Sequence, residues 1–385
     1  MNNVLLLAAF GLCVTAVPLL VWRACMKRHG RIAEMALNSA LVCFTCTLIF
    51  SGIALFWHVT AEKMPSDMQA VMPENLKRKN IPGSRDYYWL GHLHRFNSLG
   101  FRGESFSKKN PDVFRIIALG DSLTYGQGVA ENDTYPMVLQ NMLHENYRIE
   151  VLNFGVCGNQ ISDTCKLFER FGAGFQPDLV IYGFCLNDFL PSGVGQYKAD
   201  QWRVPLPEEL KSWLINRVSL CNYFARKYDE FLRKHHMRSD FFDDIILSLQ
   251  QNSAMYQDFL KNTQQINTSS REACGENVLA AVLNQHPGYQ RGNLIGEQAV
   301  SIMKQAGMEV IPHMPYFTGR EREPLTVSKW EGHPNEKCHR IFAQMFYDAI
   351  MLRYKDRLRR FALDADQQGT SGFLNLRHDS MKTHQ

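Results

Sequence analysis

From residue 114 to residue 314, short apolar runs alternate with segments of helical periodicity, a pattern that few folds accommodate. The runs are FRIIAL, RIEVLNFG, PDLVIYGF and MEVIPHM, and the helical segments are TYPMVLQNMLHEN, NQISDTCKLFERFG and NLIGEQAVSIMKQAG. Near-continuous apolar strands that alternate with amphipathic helices form a parallel sheet covered by helices on both faces. The sequence therefore predicts a doubly wound α/β fold, in which ligands bind at the carboxyl ends of the strands.

Other parts of the chain depart from this alternation. Residues 196–288 contain a long stretch of apolar side chains at helical spacing, which predicts a helical insertion that either packs on the domain or forms a lid. Residues 61–110 are polar and interrupted by prolines, which predicts a stalk and an irregular approach segment before the main domain of residues 111–356. Residues 357–385 lack a sustained apolar period and are predicted to be disordered.

Two segments near the N-terminus, residues 4–22 and 39–57, are each 19 residues long and contain no charged side chain. A helix of this length spans a bilayer. The alternatives are a cleaved signal peptide for the first segment and a buried core helix for the second. Because the first segment lacks the basic residues that open a signal peptide, we predict that residues 1–60 form an anchor of two transmembrane helices.

The loop between these two segments is basic. Against the single acid Glu34, it contains Arg23, Lys27, Arg28 and Arg31. The excess of positive charge predicts that this loop is cytoplasmic. The domain after residue 60 is then expected to face away from the cytoplasm, on the periplasmic side of the inner membrane in a bacterium. The formal net charge of +4 is small and both signs are interspersed, which argues against a nucleic-acid partner.

The stretch GDSLTYGQG follows the first predicted strand, and it places Ser122 at the entrance of the next element. A serine hydroxyl becomes nucleophilic when a base accepts its proton, usually a histidine that a carboxylate orients. The reaction also needs donors aimed at the oxyanion that develops on the substrate carbonyl. A short Gly-Asp-Ser turn is common, so this motif alone leaves an ordinary turn as the alternative.

Four blocks in this order resemble the SGNH or GDSL-type serine hydrolases, which implies a three-layer flavodoxin-like fold. GDSLTYGQG is similar to the first block, with Ser122 as the nucleophile, and EGHPN is similar to the last, with His333 as the general base. NFGVCG and GFCLND are similar to the second and third blocks, which implies that the Gly158 amide and the Asn187 side chain bind the oxyanion. The upstream segment RFNSLGFRG also resembles membrane-associated bacterial members.

The acid of the triad departs from the family pattern. Many members have Asp three residues before the histidine, whereas this chain has Trp330 there. Glu331, two residues before His333, is the candidate acid, since it has one methylene more than Asp and can still accept a hydrogen bond from the imidazole. The alternative is a Ser–His dyad assisted by a backbone carbonyl.

These residues predict a membrane-anchored serine esterase that needs no metal or cofactor. The expected substrates are O-acyl esters, in particular O-acetyl groups on envelope or extracellular carbohydrate. One alternative is an O-acyltransferase that uses the same site with a protein partner and passes the acyl group to a glycan hydroxyl. The other is a non-catalytic, glycan-binding envelope protein, which the missing Asp favours.

Overall fold

The computed structural model describes residues 86–190 without residue 90, residues 253–363 without residues 329 and 330, and scattered residues within 31–52 and 209–249. By contacts between Cα atoms, the chain divides into two compact units. One comprises Met1–Lys63 and Ala199–Asp240, and the other comprises Met64–Lys198 and Phe241–Gln385. The second unit contains the sheet and the motifs of the four blocks.

A five-stranded sheet forms the centre of this second unit, and a short antiparallel hairpin precedes it in the chain. The hairpin strands are β1 (Tyr87–Trp89) and β2 (His92–His94), and the sheet strands are β3 (Phe114–Gly120), β4 (Ile149–Gly155), β5 (Leu179–Phe184), β6 (Leu279–Val282) and β7 (Glu309–Val310). All neighbouring sheet strands are parallel, in the order β4-β3-β5-β6-β7. Counted along the chain this is the 2-1-3-4-5 order of flavodoxin-like sheets. The predicted α/β fold with a parallel sheet is confirmed.

Helices cover both faces of the sheet. They are α1 (Ser122–Tyr125), α2 (Tyr135–His144), α3 (Ile161–Leu167), α4 (Ala254–Cys274), α5 (Gln290–Gln305), α6 (Met314–Phe317), α7 (Glu336–Arg353) and α8 (Lys355–Leu358). α2 packs against α7 on one face, and α4 packs against α3 and α5 on the other. Three layers result, as the alternation of strands and helices requires.

The central strand β3 contributes to the hydrophobic core on both faces. Ile116 and Ala118 belong to the buried cluster that α2 and α7 complete, whereas Ile117 and Leu119 belong to the cluster that α3, α4 and α5 complete. Successive side chains of a strand point to opposite faces, so a strand buried on both faces is apolar at most positions, with Arg115 as the charged exception in β3. This packing fixes the end of β3 at Gly120, where the first motif begins.

Two predicted boundaries are wrong. Strand β6 lies within residues 196–288, the predicted helical insertion, and it pairs with β5 and β7. Its sequence LAAV is short and includes two alanines, which have low strand propensity, so it has no distinctive strand signal. The tail predicted to be disordered from residue 357 is ordered to residue 363, because Leu358 is fully buried and the Phe361 ring packs against Phe114. Residues 364–385 lie outside the described residues.

The predicted approach segment is more regular than expected. Within residues 86–110 the structure contains hairpin β1–β2 and an antiparallel bridge between Phe96 and Arg102. Phe101 is fully buried against Phe154 of β4, with ring centroids 4.4 Å apart. This segment is therefore part of the folded domain. The predicted stalk, residues 61–85, lies outside the described residues.

The predicted membrane spans fall largely outside the described residues. Residues 4–22 are not described, and of residues 39–57 the structure describes 39, 41–42, 44–49 and 52, all helical. Within the described part of the chain, no helix is both long enough and apolar enough to cross a bilayer.

Candidate active site

Ser122 lies at the carboxyl end of β3, as the first residue of the short helix α1. The turn between them requires glycine at Gly120, because its φ is +155° and an added Cβ would lie 2.8 Å from the carbonyl oxygen of Gly183. Asp121 caps the helix, since its Oδ1 accepts a hydrogen bond of 2.9 Å from the Leu123 N–H. The Ser122 side chain is thus held in one place at the edge of the sheet.

His333 and Glu331 lie next to this serine, although 211 positions separate Ser122 from His333. The distance from His333 Nε2 to Ser122 Oγ is 2.9 Å. On the other side of the ring, His333 Nδ1 is hydrogen bonded to Glu331 Oε1. The same carboxylate oxygen accepts a second hydrogen bond of 3.3 Å from the His333 N–H. Serine, imidazole and carboxylate therefore form one continuous chain, which is the geometry that a Ser–His–Glu mechanism requires.

Several contacts hold Glu331 in this position. Its N–H donates to Ser328 Oγ at 3.1 Å, and the buried side chain of Gln127 donates to its carboxylate. Burial disfavours the charged carboxylate, but the hydrogen bonds and the charge of His333 outweigh it and lower the pKa of Glu331. The Glu331 carboxylate is therefore charged at neutral pH and can orient the imidazole. Trp330, which occupies the usual position of the acid, lies outside the described residues.

The two predicted oxyanion donors follow the strands that flank β3. Gly158 follows β4, and Asn187 lies in the 3₁₀ helix Leu186–Phe189 after β5. Asn187 Nδ2 lies 3.5 Å from the carbonyl oxygen of Asn159, so the two loops meet. Between described residues, no hydrogen bond uses the N–H of Ser122 or of Gly158. Among the described residues, nothing therefore competes with a substrate oxygen for these two N–H groups.

The backbone conformation at position 158 favours glycine. A Cβ there would have no heavy atom within 4 Å, but its φ is +75°, in the left-handed region that side chains disfavour. A side chain at this position would therefore strain the backbone of the loop.

Asp188 is a buried residue of the site that the sequence motifs did not single out. Its Oδ2 accepts hydrogen bonds from the Tyr182 hydroxyl at 2.7 Å and from the Cys185 N–H at 2.8 Å. Burial and the nearby charge of Asp121 raise its pKa well above the ordinary value. These bonds fix the loop that carries Asn187. The signal was present in GFCLND, where Asp188 directly follows the asparagine.

Arg102 is a second such residue, and it holds the other side of the nucleophile loop. Its Nη1 donates to the carbonyl of Gly126 at 2.5 Å, and its Nη2 donates to that of Val129 at 2.7 Å. The guanidinium carbon also lies 5.1 Å from the centre of the Tyr125 ring. The approach segment FRG therefore stabilises the loop that follows Ser122. A buried arginine in this motif could not be recognised without the tertiary structure.

Among the described residues, no group of three or more His, Cys, Asp or Glu side chains is arranged to bind a metal ion. His339 is fully buried, and its Nδ1 accepts a hydrogen bond of 3.2 Å from the Tyr135 N–H.

Comparisons with solved structures give distant similarities. A lipolytic protein of the G-D-S-L family from Veillonella parvula shares 14% identity, with 62% of this chain and 99% of that chain covered and a TM-score of 0.38. The acetylxylan esterase Axe2 from Geobacillus stearothermophilus shares 12% identity, with 63% and 95% covered and a TM-score of 0.38. A search of curated proteins found no significant match.

A model of one protein family matches this chain over the region that contains the motifs. The GDSL-like lipase/acylhydrolase family matches residues 118–341, which include Ser122 and His333. This match covers more than half of the chain. The chain therefore belongs to the GDSL-like lipase/acylhydrolase family and is an ester hydrolase.

Proposed function

We propose that this protein is a serine esterase that removes O-acyl groups, in particular O-acetyl groups, from carbohydrate outside the cytoplasm. The observation that carries the proposal is the chain of hydrogen bonds from Ser122 Oγ through His333 to Glu331 in a member of an acylhydrolase family.

In the first half of the reaction, Ser122 Oγ attacks the ester carbonyl while His333 Nε2 accepts its proton. The tetrahedral oxyanion accepts hydrogen bonds from the N–H groups of Ser122 and Gly158 and from the side chain of Asn187. Glu331 holds the ring with Nδ1 protonated and stabilises the imidazolium that forms. The alcohol then leaves with the proton that His333 returns, and the acyl group stays on Ser122.

In the second half, a water molecule attacks the acyl-enzyme while His333 again acts as the base. The carboxylic acid leaves, and the serine hydroxyl is restored. A sugar hydroxyl in place of this water would make the same site a transferase. Release of free acetate from an acetylated substrate supports hydrolysis, whereas acylation of an added glycan without acetate release supports transfer.

We also propose that residues 4–22 and 39–57 anchor the chain in the inner membrane, with the catalytic domain on the periplasmic side. The absence of charge over 19 residues in each segment and the basic loop between them support this topology. Alkaline phosphatase fused after residue 65 is expected to be active in cells. An inactive fusion would show that the orientation is wrong.

The catalytic assignment is tested by the hydrolysis of p-nitrophenyl acetate. Ser122→Ala and His333→Ala should each lower kcat at least about 10³-fold, because each removes a group that takes part in the chemical step. Ser107→Ala, at an exposed serine, is the matched control and should leave kcat unchanged. A fluorophosphonate probe should label the parent protein but not Ser122→Ala. Full activity of Ser122→Ala would refute the mechanism.

A further inference from the structure

A cleft of about 600 Å³ adjoins the segment that carries His333. Residues 285–289 form one wall, and residues 321–326 form the other. The second wall is paired with the catalytic segment, since the Asn335 N–H donates to the Leu325 carbonyl at 2.9 Å and Thr326 forms an antiparallel bridge with Pro334. The cleft and the catalytic imidazole are therefore held by the same short ladder.

The first wall brings a second imidazole to the edge of the active site. His286 Nε2 would lie 3.8 Å from a Cβ added to Gly332, the residue before His333. His286 is an exposed residue whose ring makes no hydrogen bond to another described residue, although the atoms around the ring lower its pKa by partial burial. Its backbone is fixed, because the His286 N–H donates to Asn284 Oδ1 at 2.9 Å. An exposed ring on a fixed backbone is suited to contact a ligand.

Aromatic and polar groups line the remainder of the cleft. Tyr289, three residues after His286, is 36% exposed. On the opposite wall, Thr326 supplies a hydroxyl and Glu323 a carboxylate. Glu323 is paired with Lys337 at 2.5 Å and with Arg320 at 3.2 Å, and a second lining carboxylate, Glu321, accepts a hydrogen bond of 2.9 Å from the Gly319 N–H. A ring surface beside carboxylates and a hydroxyl suits a polyhydroxylated ligand that carries no negative charge.

In the proposed reaction, the alcohol part of the ester lies beside His333, which the same ladder joins to the cleft. His333 Nε2 returns its proton to the leaving oxygen, so the leaving alcohol must lie against the imidazole. We propose that this cleft binds the alcohol portion of the substrate as a neutral carbohydrate, with His286 hydrogen bonded to a sugar hydroxyl and Tyr289 packed against the sugar ring. This inference rests on the proposed esterase function. It identifies His286 and Tyr289 as residues that determine specificity.

Two acetate esters with different alcohols test this assignment on the full-length protein. Glucose pentaacetate has a sugar alcohol that would occupy the cleft, whereas the two-carbon alcohol part of vinyl acetate is too small to reach it. His286→Ala and Tyr289→Ala should each lower kcat/KM for glucose pentaacetate about tenfold, mainly through KM, because each removes a contact to the sugar. Vinyl acetate hydrolysis should change less than about twofold and so reports correct folding.

Tyr88→Ala, at a tyrosine that is 74% exposed on β1 and does not line the cleft, is the matched control and should change neither rate. Equal losses on both esters, or no loss on the sugar ester, would overturn the carbohydrate assignment. So would a parent protein that cleaves only vinyl acetate. A parent protein that cleaves neither ester would instead refute the proposed esterase function, so the two failures are distinguishable.

Discussion

Glu331→Gln is the most informative single substitution, because the family pattern left the acid of this site open. The Glu331 carboxylate contacts His333 at two atoms, Nδ1 and the backbone N–H, and also accepts from Gln127. An amide keeps the size of the side chain but removes its charge. It also places an NH₂ group where it can donate to Nδ1, which favours the wrong imidazole tautomer.

The expected loss is smaller than for a fully buried acid. The equivalent change in a serine protease with a buried aspartate lowers kcat by about 10⁴. The side chains of His333 and Glu331 are each 20% exposed, so water can stabilise part of the imidazolium charge. We therefore expect kcat to fall about 10²- to 10³-fold, which corresponds to a barrier about 3–4 kcal/mol higher.

The assay is steady-state hydrolysis of p-nitrophenyl acetate, with thermal unfolding measured on the same samples. Glu331→Asp retains the charge and should lose less activity than Glu331→Gln. Glu336→Gln, in the first turn of α7, is the control and should remain within about twofold of the parent protein. If Glu331→Gln is also within about twofold, the carboxylate has no part in catalysis. A Ser–His dyad would then replace the triad.

Other substitutions test the framework around the site. Arg102→Met removes two short hydrogen bonds to buried carbonyls. Urea unfolding should show a free energy of unfolding about 3–5 kcal/mol lower. Arg95→Met, at a side chain that is 46% exposed, is the control and should lower it by less than about 1 kcal/mol. Equal losses would show that the Arg102 contacts stabilise nothing. Gly120→Ala should prevent folding or lower the melting temperature sharply. Gly174→Ala, where an added Cβ would meet no atom within 4 Å, is the control and should do neither. A folded, active Gly120→Ala protein would contradict the turn described at Gly120. Burial lowers the pKa of His339 to about 3, so the folded protein favours the neutral ring. The unfolded chain takes up a proton at His339 below about pH 6.5, and the free energy of unfolding should therefore fall by about 1.4 kcal/mol per pH unit below that pH. His339→Gln should reduce this slope in urea unfolding measured from pH 7 to 4, and an unchanged slope would show that His339 is not its source.

Much of the sheet was predictable because its signals are local. Strands β3, β4 and β5 are mostly apolar runs, and α5 has a clear amphipathic face that ends before Gly307. Strand β6 was not predictable, since LAAV is short and has the composition of a helix. It becomes a strand because its backbone pairs with β5 and β7 on both sides. That pairing joins residues far apart in the chain.

The end of the chain shows the same limit. Residues after 357 have no periodic apolar pattern, yet the structure orders them to residue 363. Two apolar side chains contribute to this, because Leu358 is fully buried and Phe361 contacts Phe114 at the start of β3. An antiparallel bridge between Tyr147 and Ala362 also orders the segment. A single apolar side chain in a sequence does not predict that its segment is ordered. It orders the segment only when the tertiary structure provides a hydrophobic surface for it to pack against.

For the site, the motifs alone identified Ser122, His333, Gly158 and Asn187 as candidates, and spacing identified Glu331. The resemblance of the four blocks to SGNH or GDSL-type hydrolases implied these roles, and they match the nucleophile, base and oxyanion donors that ester cleavage needs. The sequence left the acid of the triad open, because Trp330 stands at the usual position of the acid. Only the tertiary structure placed Glu331 against Nδ1 of His333. It also brought Arg102 and Asp188 to the loops on either side. These contacts depend on the order of strands in the sheet, which brings distant residues together and which no local pattern records.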